Sequence, residues 1–124
     1  MKTATHYLDE ANSVVPKISA EEGIAKHGAG NTTFVDVRDG TEIAASGTIA
    51  GALRIPRGMV EFRADASHAL HDANLSKDAE IVLICGAGGQ AALAGKTLKE
   101  MGYSNVSNVG GFTGWKDAGG PVED

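Results

Sequence analysis

Apolar and polar residues fall in short blocks along this chain, and the blocks predict its elements. Residues 1–15 are polar with scattered apolar positions, which suits one short helix around Tyr7 to Asn12, ended by Pro16 and Lys17. Ser19 can cap a second helix, with Glu21 and Glu22 in the first turn where carboxylates suit the dipole. That helix is predicted from Ala20 to His27, stopping at Gly28. Thr32 to Val37 (TTFVDV) is β-rich and mostly apolar, as a central parallel strand requires. Thr41 to Ser46 then forms a short helix, Gly47 to Ala52 a loop, Leu53 to Pro56 a short strand, and Gly58 to Arg63 a helical turn or two. The polar stretch from Ala64 to Asp78 reads as a surface helix and turn. Ile81 to Cys85 is a buried strand: apolar, rich in β-branched residues and closed by glycines. Ala91 to Met101 is built of good helix formers, with Ala91, Ala94, Leu98 and Met101 on one face. Val106 to Val109 is a last strand and Phe112 to Ala118 a last helix, carrying Trp115; from Gly119 the chain is expected to fray.

Strands alternating with helices through short connections argue for an α/β fold. The expected form is a parallel sheet of about five strands flanked by helices on both faces. Residues 1–17 read as an N-terminal extension and 18–124 as one domain. In such sheets ligands bind outside the carboxyl ends of the strands. Cys85 ends one strand, and Asp36 to Asp39 and Gly110-Gly111 end others that can face the same crevice.

Composition narrows the function classes. A chain of 124 residues can bury a core without metal or disulfides, and 42% hydrophobic with 22% charged residues is ordinary for a soluble domain. The net charge of −5 is spread along the chain, against a nucleic-acid partner. A single cysteine makes no internal disulfide, and nothing resembles a signal peptide or membrane span, so a cytoplasmic protein is expected. The four histidines show no spacing that suggests a metal site.

The candidate chemistry centres on Cys85, placed where a buried strand gives way to a glycine loop and a helix start. Unpaired backbone N–H groups and the positive end of the helix dipole favour the thiolate there, which is the reactive form. Gly86, Gly88 and Ala91 match G-x-G-x-x-A, but no acidic residue follows about 20 residues on, as dinucleotide binding wants. A cysteine phosphatase wants an arginine in the loop. Here the position is Gln90, with no basic residue before Lys96, so a phosphate would meet amides but no guanidinium fork.

Sulfur transfer remains, and it is carried by a resemblance. FVDVRDGTEIAASGTIAGALRIPRGMVEF and VLICGAGGQAALAGKTLKEMGYSNVSNVGGFTGW resemble, in order and spacing, the two signature blocks of the single-domain rhodanese family. The resemblance implies a rhodanese-like fold and a sulfurtransferase with Cys85 as nucleophile. The thiolate would take a sulfane sulfur from thiosulfate or a persulfide, then pass it to cyanide or a thiol. Gly86, Ala87, Gly88, Gly89, Gln90 and Ala91 would form the persulfide-binding loop. Asp36, Arg38 and Arg57 are candidate supporting residues, Asp36 more as a partner of Arg38 or Arg57 than as a proton donor. No metal or organic cofactor is implied, and no particular protein partner. Gln90 stands where many active members carry arginine. A charge-assisted hydrogen bond is worth roughly 1.5–3 kcal/mol against about 1 for a neutral one, so weaker recruitment of dianionic thiosulfate is expected. The alternative is a rhodanese-like binding or regulatory module with little turnover.

Overall fold

The computed structural model describes residues 1–124. Helix α1 (Ala4–Val14) is capped by Thr3, and α2 (Ala20–Ala29) by a reciprocal Ser19–Glu22 capping box. Strand β1 (Thr32–Asp36) leads into α3 (Gly40–Ser46), whose N-terminus is capped by the Asp39 carboxylate. Two short strands come next, β2 (Thr48–Ile49) and β3 (Leu53–Arg54), then a 3₁₀ turn over Arg57–Met59 running into α4 (Val60–Ala64). The second half is β4 (Glu80–Cys85), α5 (Gly89–Glu100), β5 (Val106–Gly111), α6 (Phe112–Asp117) and β6 (Val122–Glu123).

The main sheet is parallel, in the order β3-β1-β4-β5. Strand alternation divides the core. Ile81 and Leu83 of β4 join Val60, Ala94, Leu98 and Tyr103 on the α4–α5 face; Val82 and Ile84 join Phe34, Phe112 and Trp115 on the α2–α6 face. Burial on both faces is why β4 reads as an unbroken apolar run. Helix α1 lies on α5, with Ala11 and Val15 buried and Val15 packed over Gly95.

Helix α2 runs through the expected stop at Gly28 to Ala29, with Gly30 in the left-handed cap position, and three further expectations change. The main sheet has four strands rather than five; its fifth position, beyond β5, is only a single bridge from Lys17 to Asn108. Residues 65–79 contain no helix. Their Asp and Ser side chains capture nearby amides instead: Asp65 accepts from Ser67 N–H, Asp72 from Asn74 N–H and Ser76 from Asp78 N–H. Such local bonds compete with the helix ladder. Nor does the C-terminus fray. Strand β6 pairs antiparallel with β2, in the stretch expected to be all loop, and Trp115 Nε1 donates to the Pro121 carbonyl at 2.9 Å.

Candidate active site

Strand β4 ends inside the sheet, between β1 and β5, so Cys85 is a free but buried thiol, 1% exposed. The chain then turns over Gly86, Ala87 and Gly88. Gly88 has φ +95°, a left-handed conformation open to glycine without steric cost. This turn brings the Gly88 N–H back to donate to Cys85 Sγ at 2.9 Å. Helix α5 starts at the next residue with no side-chain cap, so its first amides have no side-chain acceptor. Opposite Cys85 lies Gly111, where a Cβ would sit 2.5 Å from the Gly86 carbonyl oxygen; only glycine lets β5 approach this closely.

The remaining predicted residues divide by what they touch. Gly86 and Ala87 are exposed, Gly88 and Gly89 half-buried, and Gln90 exposed on the first turn of α5. Ala91 points into the α5-side core with Cys85. Asp36 and Arg38 form a closed buried cluster. Asp36 accepts from Arg38 Nη2 at 2.7 Å and from Thr48 Oγ1 at 2.7 Å, while Arg38 Nη1 donates to Ser46 Oγ and Nη2 to the Gly47 carbonyl, both at 2.8 Å. The guanidinium also lies 4.7 Å from the Phe112 ring centre. Hydrogen bonding to Asp36 raises the Arg38 pKa against the opposing effect of burial, with the charges of Asp36, Glu42 and Cys85 adding. Arg57 is turned elsewhere: it donates to Glu61 at 3.1 Å and to Thr97 Oγ1, on the flank of α5, at 3.0 Å.

Two nearby residues were not singled out from the sequence. The Glu42 carboxylate stands beside the loop, 3.6 Å from where a Gly86 Cβ would be. Asn108 is 3% exposed and donates to the Gly88 carbonyl at 2.9 Å. An amide within an apolar strand was the available signal for Asn108, since a buried carboxamide needs partners. Nothing in the local pattern marks Glu42. A cleft of about 310 Å³ adjoins the loop, with Leu8, Asn12, Lys17, Gly88, Asn108 and Gly110 among its walls. No group of three metal-ligating side chains is present, and no helix is long and apolar enough to cross a membrane.

Cys85 thus stands at the carboxyl end of a central parallel strand, with one backbone N–H, that of Gly88, donating to its sulfur. Residues 19–118 match the rhodanese-like domain. The chain belongs to the rhodanese family. Over 102 residues it is 31% identical to the human thiosulfate:glutathione sulfurtransferase, covering 77% of this chain and 88% of that protein. It is 32% identical over 123 residues to the Bacillus subtilis (strain 168) protein YrkF, covering 98% of this rhodanese chain but only 60% of YrkF. The structure of RPA3614 from Rhodopseudomonas palustris CGA009, described as a protein of unknown function and possible tyrosine phosphatase, superposes with a TM-score of 0.92. It is 38% identical, covering 99% of this chain and 96% of that one.

Proposed function

We propose that this rhodanese is a sulfurtransferase that carries sulfur as a persulfide on Cys85. The observation that carries the reading is the Gly88 N–H aimed at Sγ from a loop with no charged side chain. The Cys85 thiolate attacks the outer sulfur of a donor, forming the Cys85 S–S bond. The donor's own S–S bond breaks, and its pair leaves on sulfite or on a thiolate. An acceptor thiolate or cyanide then attacks the outer sulfur of the persulfide, and Cys85 leaves as thiolate. Each sulfur moves with no external oxidant or reductant. The amides of residues 86–91 stabilise the persulfide anion as a backbone nest does.

The charges around the loop favour a donor less negative than thiosulfate, such as an organic persulfide. Gln90 carries no charge, Arg38 is held by Asp36, and the Glu42 carboxylate repels a dianion, against which stands Lys17 on the wall of the adjoining cleft. A reducing cytoplasm, the compartment we assign, keeps the lone thiol free. The phosphatase description of RPA3614 does not carry over, because this loop offers a phosphate no guanidinium. The same shortage of charge favours a second reading, a module that binds a partner or anion without turnover.

Intact mass after incubation with thiosulfate, and separately with an organic persulfide, decides between them. A gain of one sulfur atom, reversed by cyanide and absent in Cys85→Ser, is the expected result. No gain with either donor would leave the binding module.

A further inference from the structure

The register between β4 and β5 slips by one residue: Leu83 pairs with Asn108, but Ile84 pairs with Gly110. At this bulge Asn108 uses every polar group it has. Nδ2 donates to the Gly88 carbonyl at 2.9 Å, and Oδ1 accepts from the Gly110 N–H at 2.8 Å. Its backbone N–H donates to the Pro16 carbonyl at 2.9 Å, and its carbonyl accepts from the Ile18 N–H at 3.0 Å. One residue thus ties three segments together: the connection after α1, the glycines closing β5, and the loop that carries Cys85. Gly88, the residue it grips, is also the one whose N–H donates to Sγ. The Gly88 carbonyl has one further donor, the Ala92 N–H of α5 at 3.0 Å.

We infer that Asn108 is a positioning residue for the sulfur site. By anchoring Gly88 on its carbonyl side, it holds the left-handed turn and aims the Gly88 N–H at Sγ. A glycine has no side chain to fix its own backbone; the Ala92 bond restrains Gly88 from within the loop and helix, and Asn108 supplies the restraint from another segment. A carboxamide is suited to the task because it donates and accepts at once. Aspartate could still accept from Gly110 but would set an oxygen against the Gly88 carbonyl; alanine could do neither. Asn108 is 3% exposed while Gly88 and Gly110 are half-buried, so water replaces a lost bond to either of them only in part. The effect on sulfur transfer rests on the proposed role of Cys85, whereas the effect on thiol reactivity does not.

The test is the pH profile of Cys85 alkylation by iodoacetamide in wild type, Asn108→Asp and Asn108→Ala, with melting curves alongside. The alkylation profile of both folded variants is expected to move to higher pH, with the rate near neutrality falling roughly tenfold. Sulfur uptake from an organic persulfide should lose kcat at unchanged KM. A lowered melting temperature with an unmoved alkylation profile would mean a purely structural role and overturn the inference. If neither variant folds, the unaltered protein decides by NMR. The Asn108 side-chain amide should follow the Gly88 amide as the thiol ionises, and an Asn108 amide that stays still overturns the inference. A shifted profile without sulfur uptake from any donor supports the positioning role and defeats the sulfurtransferase proposal.

Discussion

Strands β1 and β4 run side by side, with Asp36 opposite Ile84, yet the segments beyond their carboxyl ends treat charge in opposite ways. After β1, the cluster of Asp36, Arg38, Ser46 and Thr48 closes on itself, each charge matched and buried. After β4, no charged side chain occurs between Cys85 and Lys96, and the donor to the sulfur is the backbone N–H of Gly88. The first arrangement uses its hydrogen-bonding capacity to hold α3 and β2 to the sheet. The second leaves the first amides of α5 without a side-chain acceptor, as the proposed persulfide would require. Proximity to the crevice therefore does not make Arg38 a substrate ligand, since four of its five guanidinium N–H groups already bond within the cluster.

The largest effect expected from this contrast is on stability. Asp36→Ala leaves the Arg38 guanidinium buried without its partner, and removing one member of such a pair costs about 3–5 kcal/mol. Urea denaturation should show this loss, and Asp36→Ala combined with Arg38→Met should recover much of it. A loss of the size typical of surface positions would break the contrast by making the cluster incidental. The loop should respond in the other direction. Gln90→Arg adds a charged donor at an exposed position, so thiosulfate uptake should rise about tenfold while stability moves by less than about 0.5 kcal/mol. An unchanged rate would show that missing charge is not what limits dianionic donors.

The smallest effect lies at the opposite end of the same strands and sharpens the comparison. Glu80, opposite Thr32, accepts from Lys26 Nζ at 2.7 Å and Thr32 Oγ1 at 2.6 Å. The Lys26 bond first, then the Thr32 bond, hold its carboxyl below the usual range against the opposing effect of burial. A folded-state value below the unfolded one stabilises at pH above the unfolded value, and that stability is lost as pH falls through the folded value. Half-buried and water-accessible, the pair should be worth about 1 kcal/mol or less. Lys26→Met should therefore lower stability slightly near neutrality and make no difference in strong acid. A penalty that persisted in acid would point to lost packing of the lysine stem instead.

Much of the fold is legible in the sequence because its signals are local. The apolar run before Cys85, the Ser19 cap and the glycine after β4 each act within a few residues, and each appears where its pattern predicts. The helix expected over Ala64 to Asp78 is absent because polarity alone does not separate a surface helix from successive turns closed by Asp and Ser. The order of the C-terminal stretch is hard to see locally because β6 takes its strand pairing from β2, more than seventy residues away. At the candidate site, Cys85 and its loop are visible as sequence neighbours, while Asn108 reaches Gly88 across 20 positions and Glu42 reaches Gly86 from another helix.

By itself, then, the sequence determined which residues could do chemistry and where they lie relative to a strand end. Periodicity, glycine and capping are properties of short stretches of backbone. Only the tertiary structure decided which charges remain available. Arg38 and Arg57 look equally free in the sequence, yet one is turned inward onto Asp36 and the other onto Glu61 and Thr97. That outcome depends on which partners the packed sheet and helices bring within about 3 Å, the range in which a hydrogen bond forms.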